Sequence, residues 1–132
     1  MQLTRHTDYA LRLLITLAQR QGERISIAEV AELHAISRTH LMKIANQLSH
    51  AGFIAAVRGR TGGIALARDA QAINLGAVIR AMEPRCSLID CTGCKLVRRC
   101  TLPGILDEAK SAFQEVLDGY SLAELVREQA MA

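Results

Sequence analysis

Four cysteines lie close together in the second half of the chain and could hold a metal centre. Their spacing is C-x4-C-x2-C-x5-C, at Cys86, Cys91, Cys94 and Cys100. Thiolates are ligands for soft metal ions and clusters, and neighbouring cations stabilise them. The loop supplies such cations at Arg85, Lys95, Arg98 and Arg99. Three chemistries stay open from the residues alone: an iron–sulfur cluster, a structural zinc ion and a redox-active dithiol.

The spacing favours iron over zinc. Structural zinc sites usually combine two short cysteine pairs separated by a longer spacer, whereas these four cysteines occupy one short loop. In a reducing compartment such a group holds metal more often than it forms disulfides. A thiol oxidoreductase would place C-x-x-C between a strand and a helix. That context is missing here, so we do not expect an enzyme.

The composition indicates one small helical domain. The chain has 132 residues, 50% of them apolar and only 3% aromatic, with no tryptophan. A core of Leu, Ile, Val and Ala favours helices. No apolar run approaches the ~20 residues of a membrane span, and the first residues lack the apolar core of a signal peptide. We therefore expect a soluble protein of the cytoplasm.

The charges are unevenly distributed along the chain. Residues 33–68 contain no Asp or Glu, and their five cations are Arg38, Lys43, Arg58, Arg60 and Arg68. Residues 101–132 instead carry six carboxylates against Lys110 and Arg127. A basic stretch without acids produces a local positive field, for which the phosphate backbone of nucleic acid is the commonest partner.

Helix signals divide the first half of the chain. The pattern predicts a helix over residues 7–20, with Thr7 as N-cap and Asp8 in the first turn. Ser26 and Glu29 have the spacing of a capping box, which opens a second helix running to about residue 34. Ser37 caps a third helix that ends at Gly52. Only residues 35–37 join the second and third helices, as a helix-turn-helix requires.

Two short strands and three further helices are predicted next. Residues 53–57 and 64–67 flank a glycine-rich loop and predict a hairpin. Asn74 caps a short helix stopped at Pro84, and residues 103–118 and those from Ser121 onward form the last two helices. Three helices followed by a glycine-tipped hairpin are typical of a winged helix-turn-helix. The predicted fold class is mainly α with a small β-hairpin and a long C-terminal dimerisation helix.

The fold predicts three functional segments. Residues 1–84 form the DNA-binding domain, residues 85–100 the cysteine loop, and residues 101–132 the dimerisation and C-terminal helices. The helix over 103–118 carries an apolar stripe at Ile105, Leu106, Ala109, Ala112, Phe113, Val116 and Leu117. We expect this stripe to pair with the same helix of a second chain, because a dimer reads two half-sites ~34 Å apart.

The third helix and the hairpin predict the DNA contacts. The N-terminal residues of the second helix of a helix-turn-helix face base edges in the major groove. Here they are Arg38, Thr39, His40 and Lys43, with Ser37 and Gln47 placed to contact phosphates or bases. Arg38 is as well suited to a phosphate as to a base. In the hairpin tip, the cations Arg58 and Arg60, with Thr61, suit a minor groove.

Over nearly its full length the chain resembles the Rrf2 family of winged-helix regulators. The matching segments are LTRHTDYALRLL, SRTHLMKIANQLSHAGFI, VRGRTGGIALA, INLGAVIRAMEP and CTLPGILDEAKSAFQEVLDGYSLAEL. Within the family, the TDYAL start, the SRTHLMK helix and the approach to the cysteines are most similar to the nitric-oxide-sensing repressors (NsrR). The resemblance implies a homodimer that binds palindromic promoter DNA while an iron–sulfur cluster is intact, with nitric oxide as the signal.

The resemblance also implies a ligand set for the cluster. Three ligands map to Cys91, Cys94 and Cys100, and a carboxylate of the other subunit maps to Asp8. An oxygen ligand is weaker than thiolate on such iron, so that corner is where nitric oxide would attack. This set is typical of a 4Fe–4S cluster. A ligand at His6 would instead suggest 2Fe–2S.

Two departures from the family pattern keep the fourth ligand open. The gap between the first two matching cysteines is shorter than usual, since only Thr92 and Gly93 separate them. Cys86 is additional to the pattern and is the alternative fourth ligand, which would give an all-cysteine site within one chain. In that case Asp8 would be an ordinary carboxylate in the first turn of a helix.

Overall fold

The computed structural model describes residues 2–21, 23–57, 59, 62–83 and 87–131, with residues 128–131 described by their backbone alone. Over these residues the order of elements is α1 (Arg5–Gln19), α2 (Ile27–His34), α3 (Arg38–His50), β1 (Ile54–Val57), β2 (Gly63–Leu66), a short 3-10 turn (Ala70–Ala72), α4 (Leu75–Met82), α5 (Leu102–Asp118) and α6 (Leu122–Met131). The strands pair antiparallel, with Ile54 opposite Leu66 and Val57 opposite Gly63. The predicted fold class, a mainly helical chain with one hairpin, is confirmed.

Most of the predicted helix starts are present as side-chain caps. Ser26 Oγ accepts a hydrogen bond from the Glu29 amide (3.1 Å), and Ser37 Oγ accepts one from the His40 amide (3.3 Å). Asn74 Oδ1 accepts one from the Ala77 amide over 2.9 Å. Each cap satisfies an amide that lacks a partner inside the helix.

The start of α1 differs from the prediction. The N-cap is Thr4, whose hydroxyl oxygen accepts a hydrogen bond from the Thr7 amide (3.3 Å), and the helix begins at Arg5. Thr7 is fully buried inside the first turn. Its hydroxyl donates to Glu83 Oε1 instead of closing the helix end. The assignment of Thr7 as the N-cap was therefore wrong, although Asp8 does lie in the first turn.

A single apolar core holds α1, α2, α3, α4, α6 and the hairpin together. Among the largest fully buried side chains are Leu13, Leu14, Leu41, Ile44, Leu48 and Leu122. The last of these comes from α6, which packs against α1. The Ile64 amide also donates to Ile25 O (2.8 Å), which fastens the hairpin to the segment before α2. Helix α3 is thus packed against the other helices through buried apolar side chains.

Helix α5 stands apart from this core, because none of its residues is buried. It is attached to α4 mainly through Asp118, whose Oδ1 accepts from the Arg80 guanidinium at 2.7 Å. Ile105 and Val116 are 57% and 63% exposed, whereas Leu106 and Leu117 are half-buried, so the predicted apolar stripe is only partly covered in a single chain. No helix among the described residues is both long and apolar enough to span a bilayer.

Candidate nucleic-acid interface and cysteine loop

The turn between α2 and α3 fixes the helix-turn-helix. Ala35 adopts the left-handed conformation (φ +53°), which costs ~1–2 kcal/mol for a residue other than glycine. Its neighbour Ile36 is 7% exposed, and the Ile36 amide donates to Ala31 O at 2.9 Å. This buried anchor holds the strained turn in place. Helix α3 begins two residues later, with Arg38 and Thr39 exposed to solvent.

The outer face of α3 presents the polar side chains expected to meet DNA. Arg38, Thr39 and Lys43 are exposed, whereas Leu41, Ile44 and Leu48 are buried on the opposite side. Met42 and Asn46 are exposed on the same helix and were missed by the sequence analysis. The helical spacing of three and four residues from Thr39 to Met42 and from Met42 to Asn46 could have indicated them.

His40 and Gln47 contact the protein itself. The His40 ring lies half-buried, edge-on to Tyr9 (5.3 Å between centroids) and stacked near His6 (6.0 Å). Gln47 Oε1 lies 2.5 Å from His6 Nε2, and Gln47 Nε2 donates to Ala81 O over 3.1 Å. No local sequence pattern signals these contacts, since the partners belong to α1 and α4. The oxygen of Ser37 is likewise engaged as the cap of α3.

The region of the hairpin carries the last cations of the acid-free stretch. Arg58, Arg60 and Thr61 lie outside the described residues. Arg68, the last cation of the acid-free stretch, donates through Nε to Gly52 O (3.2 Å) and lies over the Phe53 ring at 5.2 Å. Gly52 itself has the positive φ (+84°) expected of the stop after α3. Arg68 therefore braces the hairpin against the end of α3.

The cysteine loop connects α4 to α5 through a series of turns. Cys91 is half-buried, Cys94 and Cys100 are exposed, and all three are free thiols. The Cys94 amide donates to Cys91 O (3.1 Å), and the Thr92 amide donates to Asp90 Oδ1 (2.9 Å). The hydrogen bond from the Thr92 amide lowers the pKa of the Asp90 carboxyl. Cys86, the alternative fourth ligand, lies outside the described part of the chain.

The donor set fits an iron–sulfur cluster in chemistry, but its members among the described residues are not assembled within one chain. Three free thiols on a short loop are the ligands that iron–sulfur clusters use. Within the part of the chain that the structure describes, however, no three His, Cys, Asp or Glu residues form a metal-binding group. The Asp8 carboxylate is held by Arg12 in a two-pronged pair, with both contacts at 3.1 Å. A complete site built from the described residues alone therefore needs a rearranged loop, a ligand from a second chain, or both.

Glu83, the residue that follows α4, fixes the end of this helix to α1. Its Oε1 accepts from the Thr4 amide (2.7 Å), the Thr4 hydroxyl (3.1 Å) and the Thr7 hydroxyl (2.8 Å). Partial burial raises the pKa of Glu83. These hydrogen bonds, together with the nearby charge of His6, lower it by more than burial raises it, so the net shift of the pKa is downward. The residue after α4 is thereby a carboxylate tied to the first turn of α1.

Comparisons with known proteins agree with this architecture. The chain matches the Rrf2 family, described as iron-dependent transcriptional regulators, over residues 3–128. CymR, the global cysteine regulator of B. subtilis, is 26% identical, with a TM-score of 0.76 over 97% of this chain and 98% of that one. IscR of T. potens is 27% identical, with a TM-score of 0.81 over 98% and 88%. The oxidized form of Staphylococcus aureus CymR is 28% identical, with a TM-score of 0.76 over 96% of each chain.

The family match covers almost the whole chain, including α3 and the cysteine loop. Its members regulate transcription, which confirms the expected DNA-binding regulator and the expectation that the protein is not an enzyme. The resemblance drawn from the sequence segments is confirmed at the level of the family. This chain belongs to the Rrf2 family of iron-dependent transcriptional regulators.

Proposed function

We propose that this protein is a homodimeric repressor of the cytoplasm whose affinity for a palindromic operator depends on an iron–sulfur cluster held by the cysteine loop. The observation that supports this most strongly is the position of the loop. It carries three free thiols and leaves α4 immediately after Glu83, which is bonded to the first turn of α1. A change at the thiols therefore acts on the frame that carries α3.

The exposed face of α3 is assigned to the major groove. Arg38, Thr39 and Lys43 extend into solvent from a helix whose other side is buried. Arg and Lys suit the O6 and N7 atoms of guanine, and one well-placed pair discriminates by ~1–3 kcal/mol. Arg58, Arg60 and Thr61 of the hairpin tip are assigned to the minor groove. In this proposal the chain has three functional segments: residues 1–84 bind DNA, residues 85–100 hold the cluster that senses the signal, and residues 101–132 support the dimer.

The ligands are proposed to come from both subunits. Cys91, Cys94 and Cys100 of one chain would hold the cluster together with Asp8 of a second copy, and Cys86 is the alternative. Both side chains of the Asp8–Arg12 ion pair are about half exposed. Breaking this pair, so that the Asp8 carboxylate can bind the cluster instead, therefore costs no more than ~1 kcal/mol. When bound, a cluster of this kind supplies iron that nitric oxide can reach, with 4Fe–4S favoured over 2Fe–2S.

The dimer is supported by α5. Its apolar side chains Ile105, Phe113 and Val116 are exposed in the single chain, and an amphipathic helix of this length gains stability by covering such a stripe. Pairing α5 with its copy would bring two α3 helices into one particle. A two-fold dimer matches a palindromic site.

Anaerobic purification tests the proposal. We expect a brown protein with iron and acid-labile sulfide that binds one operator, selected from a pool of random duplexes, more tightly when loaded than when stripped. Cys100→Ala should abolish both iron binding and tight operator binding. Exposure to nitric oxide should release the operator from the loaded protein. Equal affinity of the loaded and stripped dimers would contradict the proposal.

The fourth ligand is decided by a matched pair of variants. If Asp8 is the ligand, Asp8→Ala gives iron that is lost faster or reacts differently with nitric oxide, while Cys86→Ala changes little. The opposite ranking would assign the ligand to Cys86. Iron and sulfide analysis with visible spectra of both variants measures this directly.

A second function, regulation by thiols or zinc without iron, is favoured by one observation. Cys94 and Cys100 are exposed free thiols beside Lys95, Arg98 and Arg99, an environment that suits reactive thiolates. Of the similar structures, CymR of B. subtilis is a cysteine regulator and that of Staphylococcus aureus was solved in an oxidized form. A colourless protein with stoichiometric zinc, or DNA affinity that follows reversible thiol oxidation, would support this alternative.

A further inference from the structure

We propose that Gln47 is a positioning residue that ties the recognition helix α3 to α1 and to the end of α4, and so carries the state of the cysteine loop to the DNA-reading side chains. The inference rests on the proposed function for the role of the loop. It adds the physical link between that loop and α3. It also assigns Gln47 a role other than direct contact with DNA.

Both ends of the Gln47 amide are used within the protein. Ala81 O can only accept, so the Gln47 amide nitrogen faces it, at 3.1 Å. This orientation leaves Oε1 for His6 Nε2, 2.5 Å away, and requires a hydrogen on that ring nitrogen. Three helices therefore meet at one side chain. A glutamine that reads adenine needs the same oxygen and the same amide hydrogens, so contact with a base would break both links.

The link to α4 lies directly before the cysteine loop. Ala81 is followed by the fully buried Met82 and then by Glu83, whose carboxylate is bonded to Thr4 and Thr7. The last turn of α4 is thus fixed to α3 on one side and to α1 on the other. A displacement that begins in the loop reaches α3 through the Gln47 amide.

A second contact shows that Gln47 belongs to an organised face of α3. His40 lies two helical turns earlier and packs on Tyr9 and His6 of α1. His40 and Gln47 together present one side of α3 to α1, while Lys43 is exposed on another side. Contacts at two points along a helix fix its tilt and its rotation. The direction in which the exposed side chains face DNA follows from these contacts.

Gln47→Leu and Gln47→Glu test the proposal. Asn46→Leu, on the exposed side of α3, is the matched control for hydrogen exchange without DNA and for the ratio of loaded to stripped affinity, because a DNA contact of Asn46 would change neither readout. Leucine removes both links at similar size. Glutamate keeps an oxygen for His6 but places a second acceptor against Ala81 O. We expect both Gln47 variants to bind the operator and all its single-base variants roughly three- to tenfold more weakly, with the order of preference unchanged. A loss confined to one base position would overturn the proposal and make Gln47 a base-reading residue.

Hydrogen exchange in the stripped, DNA-free protein provides a readout that a base contact would not change. The Glu83 amide donates to Ile79 O (2.8 Å) in the last turn of α4. We expect it to exchange faster in Gln47→Leu than in the wild type and in Asn46→Leu. Unchanged exchange in Gln47→Leu would refute the link to α4.

The ratio of operator affinities of loaded and stripped protein separates this inference from the proposed function. In the wild type a ratio well above one supports control by the loop, and in both Gln47 variants we expect the ratio to fall toward one. A wild-type ratio of one refutes the proposed function. A wild-type ratio above one that the Gln47 variants retain refutes the coupling through Gln47. Asn46→Leu should keep the wild-type ratio.

Discussion

The hydroxyl of Thr7 donates to Oε1 of Glu83 over 2.8 Å and joins the first turn of α1 to the residue that ends α4. Seventy-six positions separate the two residues in the sequence. Thr7 is fully buried, so its hydroxyl has no access to water in exchange for this bond. The end of α4 and the start of α1 are therefore one structural unit, and the strength of this unit can be measured.

Thr7→Val removes the hydroxyl at nearly constant volume. The change removes one of the three hydrogen bonds that Glu83 Oε1 accepts, and we expect it to lower the free energy of unfolding by ~1–3 kcal/mol. Urea denaturation at neutral pH measures the loss. Thr39→Val, an exposed threonine of α3, is the control and should stay within ~0.5 kcal/mol of the wild type. Equal stability of Thr7→Val and the wild type would show that the bond contributes nothing.

The free energy of unfolding at acidic pH should depend on the protonation of Glu83. Burial raises its pKa, but the hydrogen bonds from Thr4 and Thr7 and the charge of His6 outweigh burial, so its pKa in the folded protein lies below the ordinary 4.5. A carboxyl with a lowered pKa stabilises the fold above 4.5 and loses that contribution as the pH falls through its folded value. Glu83→Gln should therefore be less stable than the wild type near neutral pH. The difference should shrink below about pH 4.5.

Gly76 sets the approach of α4 to α5. A Cβ at this position would overlap Oδ1 of Asp118, which accepts from Arg80, and would lie 3.0 Å from the Asp118 backbone nitrogen. Gly76→Ala should therefore lower the free energy of unfolding by ~1–3 kcal/mol through overpacking. We also expect weaker operator binding, because α5 is attached to the DNA-binding domain at this point.

Gly104→Ala is the matched control for Gly76→Ala. Gly104 lies in α5, and a Cβ at this position would meet nothing within 4 Å beyond the neighbouring backbone of its own helix. Alanine there should therefore be neutral or stabilise by up to ~1 kcal/mol. The midpoint of thermal denaturation should fall for Gly76→Ala and stay constant or rise for Gly104→Ala. Operator affinity should fall more for Gly76→Ala than for Gly104→Ala. Equal changes in stability and operator affinity for the two variants would show that overlap with Asp118 is not the reason why position 76 requires glycine.

The local part of the fold could be predicted from the sequence, and the tertiary part could not. Ser26, Ser37 and Asn74 were predicted as caps because a capping residue bonds to amides two or three positions ahead. At the start of α1 the same rule predicted Thr7, whereas the cap in the structure is Thr4, three residues earlier. The choice between them is decided by Glu83, far along the chain, whose carboxylate takes the Thr7 hydroxyl. A local pattern contains no information about that partner.

The same limit applies to the site. The exposure of Arg38, Thr39 and Lys43 follows from helical periodicity and was predicted. His40 and Gln47 lie on the same helix and have side chains suited to DNA, but they contact α1 and α4. Their contacts depend on how three helices pack, which periodicity within one helix does not determine.

Lys43→Ala measures how α3 meets DNA. If Lys43 contacts a base, the variant should lose discrimination at one operator position by ~1–3 kcal/mol. If it contacts only a phosphate, binding to all sequences should weaken alike and the salt slope should fall by ~1. Fluorescence anisotropy with the operator and its single-base variants at several salt concentrations distinguishes the two results. Unchanged affinity and unchanged slope would remove Lys43 from the interface.

His34 makes stability depend on pH near neutrality. The Thr16 hydroxyl donates to Arg12 O (2.7 Å), so its oxygen is free to accept from His34 Nε2 at 2.8 Å. Burial lowers the pKa of His34 below 6.5, the charge of Arg12 lowers it further, and Asp8 raises it by less. Because the pKa of His34 is lower in the folded protein than in the unfolded chain, its contribution to stability is complete above pH 6.5. As the pH falls below 6.5, the unfolded chain binds the proton before the folded protein does, and this contribution is lost.

We therefore expect the free energy of unfolding to fall as the pH drops below 6.5. His34→Gln should flatten this fall, because the amide keeps a donor for Thr16 without titrating. Urea denaturation at several pH values measures the slope. His50→Gln, at the exposed end of α3, is the control and should retain the wild-type slope. A slope in His34→Gln equal to that of the wild type would assign the pH dependence to another group.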